Sequence, residues 1–254
     1  MAGAYSIEEI GRFIQRYKTF VPGTSDLRLR EFKQRFGHVR TALEALAELD
    51  RRSQRRLASR FNLFKALGVE RREVRTHSAF LAELLRPNGT HAQGTAFLEA
   101  FLQHCLRKGD EFKHFPPIEF PTGAAFWEVD CEKSVPDGQL DIVVRSLQSR
   151  LLMVIENKID AAEQKDQIGR YQDWLSRRRE YPPDRRVLIY LTPDGRRAST
   201  ASNEDYFRLS YAKDVVAWLR SALPNVEAPR VRDAVIQYLD LIESLFHFAG
   251  GAER

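Results

Sequence analysis

Residues 139–158 constrain this chain more than any other stretch. Two apolar runs, Ile142–Val144 and Leu151–Ile155, flank a short polar turn, the pattern of a β-hairpin. Three charged residues stand at its open end: Asp141, Glu156 and Lys158. With the turn centred between Gln148 and Ser149, antiparallel pairing places Asp141 opposite Glu156. Facing side chains lie roughly 4.5–5.5 Å apart at Cβ, and like charges there repel. Something positive must hold them, and a divalent cation suits two carboxylates. Lys158 lies two residues past Glu156, so it projects to the same side of the sheet. Leu151–Ile155 is five consecutive apolar residues, as expected of a strand buried on both faces. Ending such a strand in a carboxylate and an ammonium is unfavourable unless the charges are paired or bind an ion.

This arrangement resembles the PD-(D/E)XK nuclease superfamily, whose motif is an acidic residue followed by Asp/Glu-X-Lys on the next strand. Asp141 fits the first position and Glu156-Asn157-Lys158 the second. Leu140 stands where the motif has proline. The nearby Pro136-Asp137 places its Asp four residues too early, and Gly138 marks a turn there. Downstream, Gln164, Gln167 and Tyr171 share one face of a predicted helix. Gln167-x-x-x-Tyr171 resembles the glutamine–tyrosine motif of exonuclease-like branches, where it lies beside the active site and positions the substrate backbone or the lysine. Read alone, it is a half-buried Tyr with a solvated Gln.

Upstream, Phe61–Phe64, Glu73–Ser78, Phe80-Leu81, Leu84-Leu85, the Pro87–His91 loop and Phe97–Leu102 look like the N-terminal helical part of one bacterial group of the superfamily. That group occurs partly in phage-defence contexts. The resemblance covers roughly residues 60–220. It implies a restriction-endonuclease-like α/β fold, with a mixed sheet core flanked by helices. It also implies a further acidic metal ligand on a preceding helix, for which Glu73 is the best match; its other reading is a solvated first-turn acid favoured by the helix dipole. The backbone carbonyl of Asn157 is an implied ligand as well. The implied activity is metal-dependent hydrolysis of phosphodiesters, with Mg²⁺ as the cofactor and Mn²⁺ able to substitute. The implied substrate is nucleic acid, DNA ahead of RNA. A homodimer, or a partner in a defence complex, is consistent with the same relationship. Two rivals stand beside a free-standing enzyme: a partner-activated effector, and a catalytically silent binding module on a nuclease fold.

No His-based metal cluster has the required spacing. His77 bonds near a helix start or meets substrate, and His91 orders the loop between helices. Glu132 is an outer-shell candidate, and Glu128 an edge-strand acid. Formal net charge is +5, and the arginines cluster as Arg51-Arg52, Arg55-Arg56, Arg71-Arg72, Arg177–Arg179, Arg185-Arg186 and Arg196-Arg197. Such clusters suit phosphate contact, though many also serve as solvated helix faces. Two cysteines exclude a disulfide framework. No apolar stretch approaches the roughly 20 residues of a membrane span, and Glu8-Glu9 break any signal-like region, so a cytoplasmic protein is expected.

The organisation predicted is a helical region over residues 1–60 and a nuclease-like domain over 61–254. Ser6–Glu9 is a capping-box pattern opening an amphipathic helix. A longer helical pattern runs from Asp26 to Leu67, with a break near Phe36-Gly37. Helices are expected over 76–86 and 92–107, loop over 110–125, and a strand over Phe126–Lys133. A helix should start near Ala161, capped by Asp160 and Glu163, and run to Arg179. Strands Arg186–Thr192 and Phe207–Ser210 follow, then helices Asp214–Leu223 and Arg230–Ala249.

Overall fold

The computed structural model describes residues 11–12, 15–16, 26–108, 123–136, 138–161, 163–201, 203 and 205–246. The chain divides into two compact units, Met1–Phe61 and Asn62–Arg254. In the first, helix α1 spans Asp26–Leu57. It runs unbroken through Phe36-Gly37 and stops at Ala58, whose φ is +45°, so the predicted extension to Leu67 is cut short. The Ser6–Glu9 capping pattern lies outside the described residues, as does most of the predicted loop 110–125.

The second unit is built on five strands in the order β1-β2-β3-β4-β5. They are β1 Glu128–Val135, β2 Gly138–Ser146, β3 Leu151–Asn157, β4 Arg186–Thr192 and β5 Phe207–Ser210. β1, β2 and β3 pair antiparallel; β3–β4 and β4–β5 pair parallel. The sheet is therefore mixed. Ile142 pairs with Ile155 and Val143 with Val154, the register that sets Asp141 across from Glu156. Pro136 lies in the β1–β2 turn, as its Pro-Gly neighbourhood predicts.

Both faces of the sheet are covered. One carries Ile142, Val144, Met153, Ile155, Ile189 and Leu209, packed under α3 (Ala79–Leu85), α4 (Ala96–Arg107), α6 (Val216–Ala222) and α7 (Pro229–Phe246). The other carries Val143, Leu152, Val154, Leu188 and Tyr190 under α5 (Gln167–Ser176). Strands buried on both sides read as continuous apolar runs, and every residue of β3 is buried. A four-residue helix α2 (Leu63–Ala66) is capped by the Asn62 side chain.

Four helix starts fall later than the sequence reading places them, α4 beginning at Ala96 in place of residue 92. α5 begins at Gln167, six residues after the predicted start. The two carboxylates expected to cap it are taken by tertiary partners: Asp160 is clasped by Arg71 at 2.7 and 2.5 Å, and Glu163 accepts from the Ser199 and Thr200 N–H groups and the Tyr190 hydroxyl, each at 2.8 Å. Gln164 thus precedes the helix instead of sharing its face. Before α3 and α6 the chain makes wide turns, Glu73–Ser78 and Tyr211–Val215, with i→i+5 bonding.

Candidate active site

β3 delivers Glu156 and Lys158 to one end of the sheet, and β2 delivers Asp141 beside them. Alternation along β2 slips at this point: Leu140 and Val143 both enter the second core, while Ile142 and Val144 enter the first. Across from Asp141 the β1 ladder is interrupted at Glu132, whose φ is +54°. Asp141 Oδ2 accepts the Asn157 N–H at 2.7 Å. This bond ties the first acid of the motif to the backbone of the second half.

Lys158 Nζ lies 3.0 Å from Glu156 Oε1 and 3.6 Å from Glu73 Oε1. Its own N–H is fixed by the Leu191 carbonyl of β4 at 2.8 Å. The exposures are 0% for Glu156, 6% for Lys158 and 8% for Asp141, so these charges must neutralise one another or take up protons. Burial, then the facing Asp141, pushes Glu156 up to about 9. Burial raises Asp141 to about 6 against the pull of the Asn157 N–H and Lys158. Burial works against the Lys158 ammonium too, yet Glu156, Glu73 and Asp141 together raise its pKa. Glu156 Oε2 has no donor within reach. Burial and the facing Asp141 favour its protonated form in the absence of a cation.

Gln167 and Tyr171 complete this side. Gln167 Nε2 donates to Glu156 Oε1 at 2.6 Å and to the Tyr171 hydroxyl at 3.0 Å. Tyr171 in turn donates to the Gln139 carbonyl at 2.6 Å. Gly138, at φ +145°, lets the β1–β2 hairpin run against the Tyr171 ring, 3.5 Å from where a Cβ would sit. The seven residues singled out by sequence are thereby brought into one neighbourhood, with Asn157 contributing its backbone here and its side chain elsewhere.

Glu132 joins them. Burial, then Asp141 and Glu73, raises it to about 7, and its Oε2 accepts from Gln139 Nε2 at 2.7 Å. Its place on a strand before the hairpin was visible in the sequence; its position across from Asp141 and its left-handed backbone were not. His77 is wholly buried and bonds Tyr238 and the Glu70 carbonyl, which excludes contact with substrate. His91 orders its loop, with Nε2 at 2.8 Å from the Arg86 carbonyl and Nδ1 accepting the Gln93 N–H at 3.0 Å. Glu128 pairs with Arg145 at the sheet edge. Sequence reading missed Ser78 and Tyr211, which bond the Asn157 side chain; neither carries a local signal.

An acid pair on adjacent strands, a lysine two residues on, and a further acid from a preceding turn make up the constellation. Residues 61–240 match the family model of the PD-(D/E)XK nuclease superfamily. The chain belongs to the PD-(D/E)XK nuclease superfamily. No curated protein and no solved structure matches it. Membership makes a nuclease-type hydrolase the function class, acting on nucleic acid. PD-(D/E)XK nucleases typically use divalent metals, and the donor chemistry here suits one: hard carboxylate oxygens in excess of nearby cations, with two buried oxygens, Glu132 Oε1 and Glu156 Oε2, unpartnered. Among the described residues, no three His, Cys, Asp or Glu side chains already stand grouped as a ligand set; Lys158 stands against the carboxylates of Glu156 and Glu73. No described helix is long and apolar enough to cross a membrane.

Proposed function

We propose that the protein is a metal-dependent nuclease that hydrolyses phosphodiester bonds in DNA. The observation that carries this reading is the placement of Lys158 between Glu156 and Glu73 while Glu156 keeps an unpartnered oxygen. Asp141, Glu156 and the Asn157 carbonyl would hold the cation, Mg²⁺ or Mn²⁺ in its place, with Glu73 joining directly or through water. When bound, such an ion supplies charge neutralisation at the phosphate and a more acidic water.

The chain's own residues do the rest. Lys158 orients the attacking water or meets the negative charge that grows on the phosphate. Gln167 fixes one oxygen of Glu156, and Tyr171 fixes Gln167 from the hairpin side. A cation held by Asp141 and Glu156 would favour their ionised forms over the protonated ones that burial favours. DNA and a role in phage defence rest on the family relationship, a cytoplasmic location on the sequence reading alone, and all three belong to the proposal.

The test is cleavage of circular single-stranded and supercoiled double-stranded DNA with Mg²⁺ or Mn²⁺, beside Glu156→Ala and Lys158→Ala. Cleavage by wild type and a loss of at least ~10²-fold in each variant is expected. Full cleavage by Lys158→Ala sinks its assigned role. No cleavage of circles, linear DNA or RNA moves the reading to a partner-activated effector or a silent binding module.

A further inference from the structure

The Glu156-Asn157-Lys158 segment is stitched to the Glu73–Ser78 turn on both sides of Lys158. On one side, Asn157 Nδ2 donates to Ser78 Oγ at 3.0 Å, and Asn157 Oδ1 accepts from the Tyr211 hydroxyl at 2.8 Å. On the other, the Ile159 N–H donates to Glu73 Oε2 at 2.6 Å. Glu73 opens that turn and Ser78 closes it. Asn157, Ser78 and Tyr211 are all wholly buried.

The turn itself is wider than an α-helical one, with the His77 N–H reaching the Arg72 carbonyl at 3.3 Å. His77 braces it. Its Nε2 is 2.9 Å from the Glu70 carbonyl and its Nδ1 2.8 Å from the Tyr238 hydroxyl. A carbonyl only accepts, so Nε2 carries the hydrogen and Tyr238 donates to Nδ1. Burial holds this imidazole below its ordinary pKa, in keeping with a neutral ring.

A fully satisfied buried amide gives little net stability over an apolar side chain of the same shape. What such a group adds is geometry, because its bonds are met in one arrangement only. Here the amide joins three separate elements: the end of β3, the start of α3 and the turn after β5. We propose that Asn157, Ser78 and Tyr211 are positioning residues, forming a buried clamp that sets the spacing between Glu73 and Lys158. The catalytic consequence rests on the nuclease reading above; the clamp itself does not. None of the three side chains touches the Lys158 ammonium in the bonds described, so each acts through the backbone it holds.

Ser78→Ala removes the hydroxyl that meets Asn157, and Tyr211→Phe the hydroxyl that meets Asn157 and Tyr238, each with almost no change of shape, and the second covers the case in which the first fails to fold. Amide hydrogen exchange on the full chain reads the clamp directly, because the Ile159 N–H is capped by the Glu73 carboxylate. The expected result is an increase of about tenfold or more at Ile159, with β4 and β5 amides unchanged. Steady-state cleavage of a DNA circle should show kcat down about tenfold or more and KM within about twofold. Exchange at Ile159 that is unaltered, or that rises only together with β4 and β5, overturns the clamp whatever the activity does. Raised exchange with kcat intact overturns the positioning role. If wild type cuts nothing, the nuclease reading fails and the exchange arm alone decides the clamp.

Discussion

Asp141 and Glu156 face each other from adjacent strands, where burial favours the protonated form of each. An acid whose folded pKa stands at about 9, above an ordinary 4.5, holds its proton more tightly folded than unfolded. Its contribution to stability therefore falls as pH rises through that window. Glu156→Gln removes the liability. In the presence of a chelator, the variant should gain melting temperature over wild type, with a larger gain at about pH 8 than at about pH 5. Equal shifts at both pH values, by calorimetry, refute the raised Glu156 pKa. At this scale the sequence was informative where the chemistry is local. Hairpin register and strand period decide Asp141, Glu156 and Lys158 without reference to the rest of the chain. Ser78 and Tyr211 lie 79 and 54 positions from the Asn157 they hold, and no spacing rule spans such gaps.

Elements show the same division. β4 and β5 are apolar runs closed by turn residues, and both were legible to their last residue. The start of α5 was not, because Asp160 and Glu163 found better partners across the fold than at a helix end. The wide turns before α3 and α6 were also unreadable, since an extra residue per turn is held by tertiary bonds and not by periodicity. The short α2 illustrates how strongly such bonds matter. Asn62 Oδ1 caps its first N–H groups, while Asn62 Nδ2 donates to the Gln237 carbonyl of α7 at 2.6 Å. The Leu63 N–H returns a bond to Gln237 Oε1 at 2.7 Å. Asn62→Ala removes cap and tether together and should lower stability by about 1–2 kcal/mol. Urea unfolding measures this; a midpoint equal to wild type means α2 is held by its apolar contacts instead.

For the whole molecule, the 40 lysines and arginines are not all free to meet a polyanion. Arg71 is committed to Asp160, Arg145 to Glu128 and Asp130, and Arg186 to carbonyls of Ser176 and Tyr181. Binding of a labelled DNA strand, with Ca²⁺ in place of the catalytic ion, should weaken with salt at a log–log slope of about −0.7 to −0.9 per phosphate met. Anisotropy titrations between about 50 and 200 mM salt give the slope, and a slope of zero sinks the nucleic-acid reading. The α/β class was legible because apolar runs and helical periods alternate along residues 61–254, whereas the mixed sheet came only from the family resemblance. The family relationship covers most of that span and leaves α1 outside it.

The two cysteines have unequal lots. Cys105 is wholly inside the core, whereas Cys131 is partly exposed, pairs with Ile142 and immediately precedes Glu132. A thiol-directed probe thus has one address, and that address is next door to Asp141. Burial and the neighbouring acids hold the Cys131 thiol up at about 11, so the reaction is slow at neutral pH and quickens in alkali. Anything that draws negative charge away from Glu132 and Asp141 lowers that barrier. The unmodified chain already contains a chemical reporter of what occupies its carboxylates.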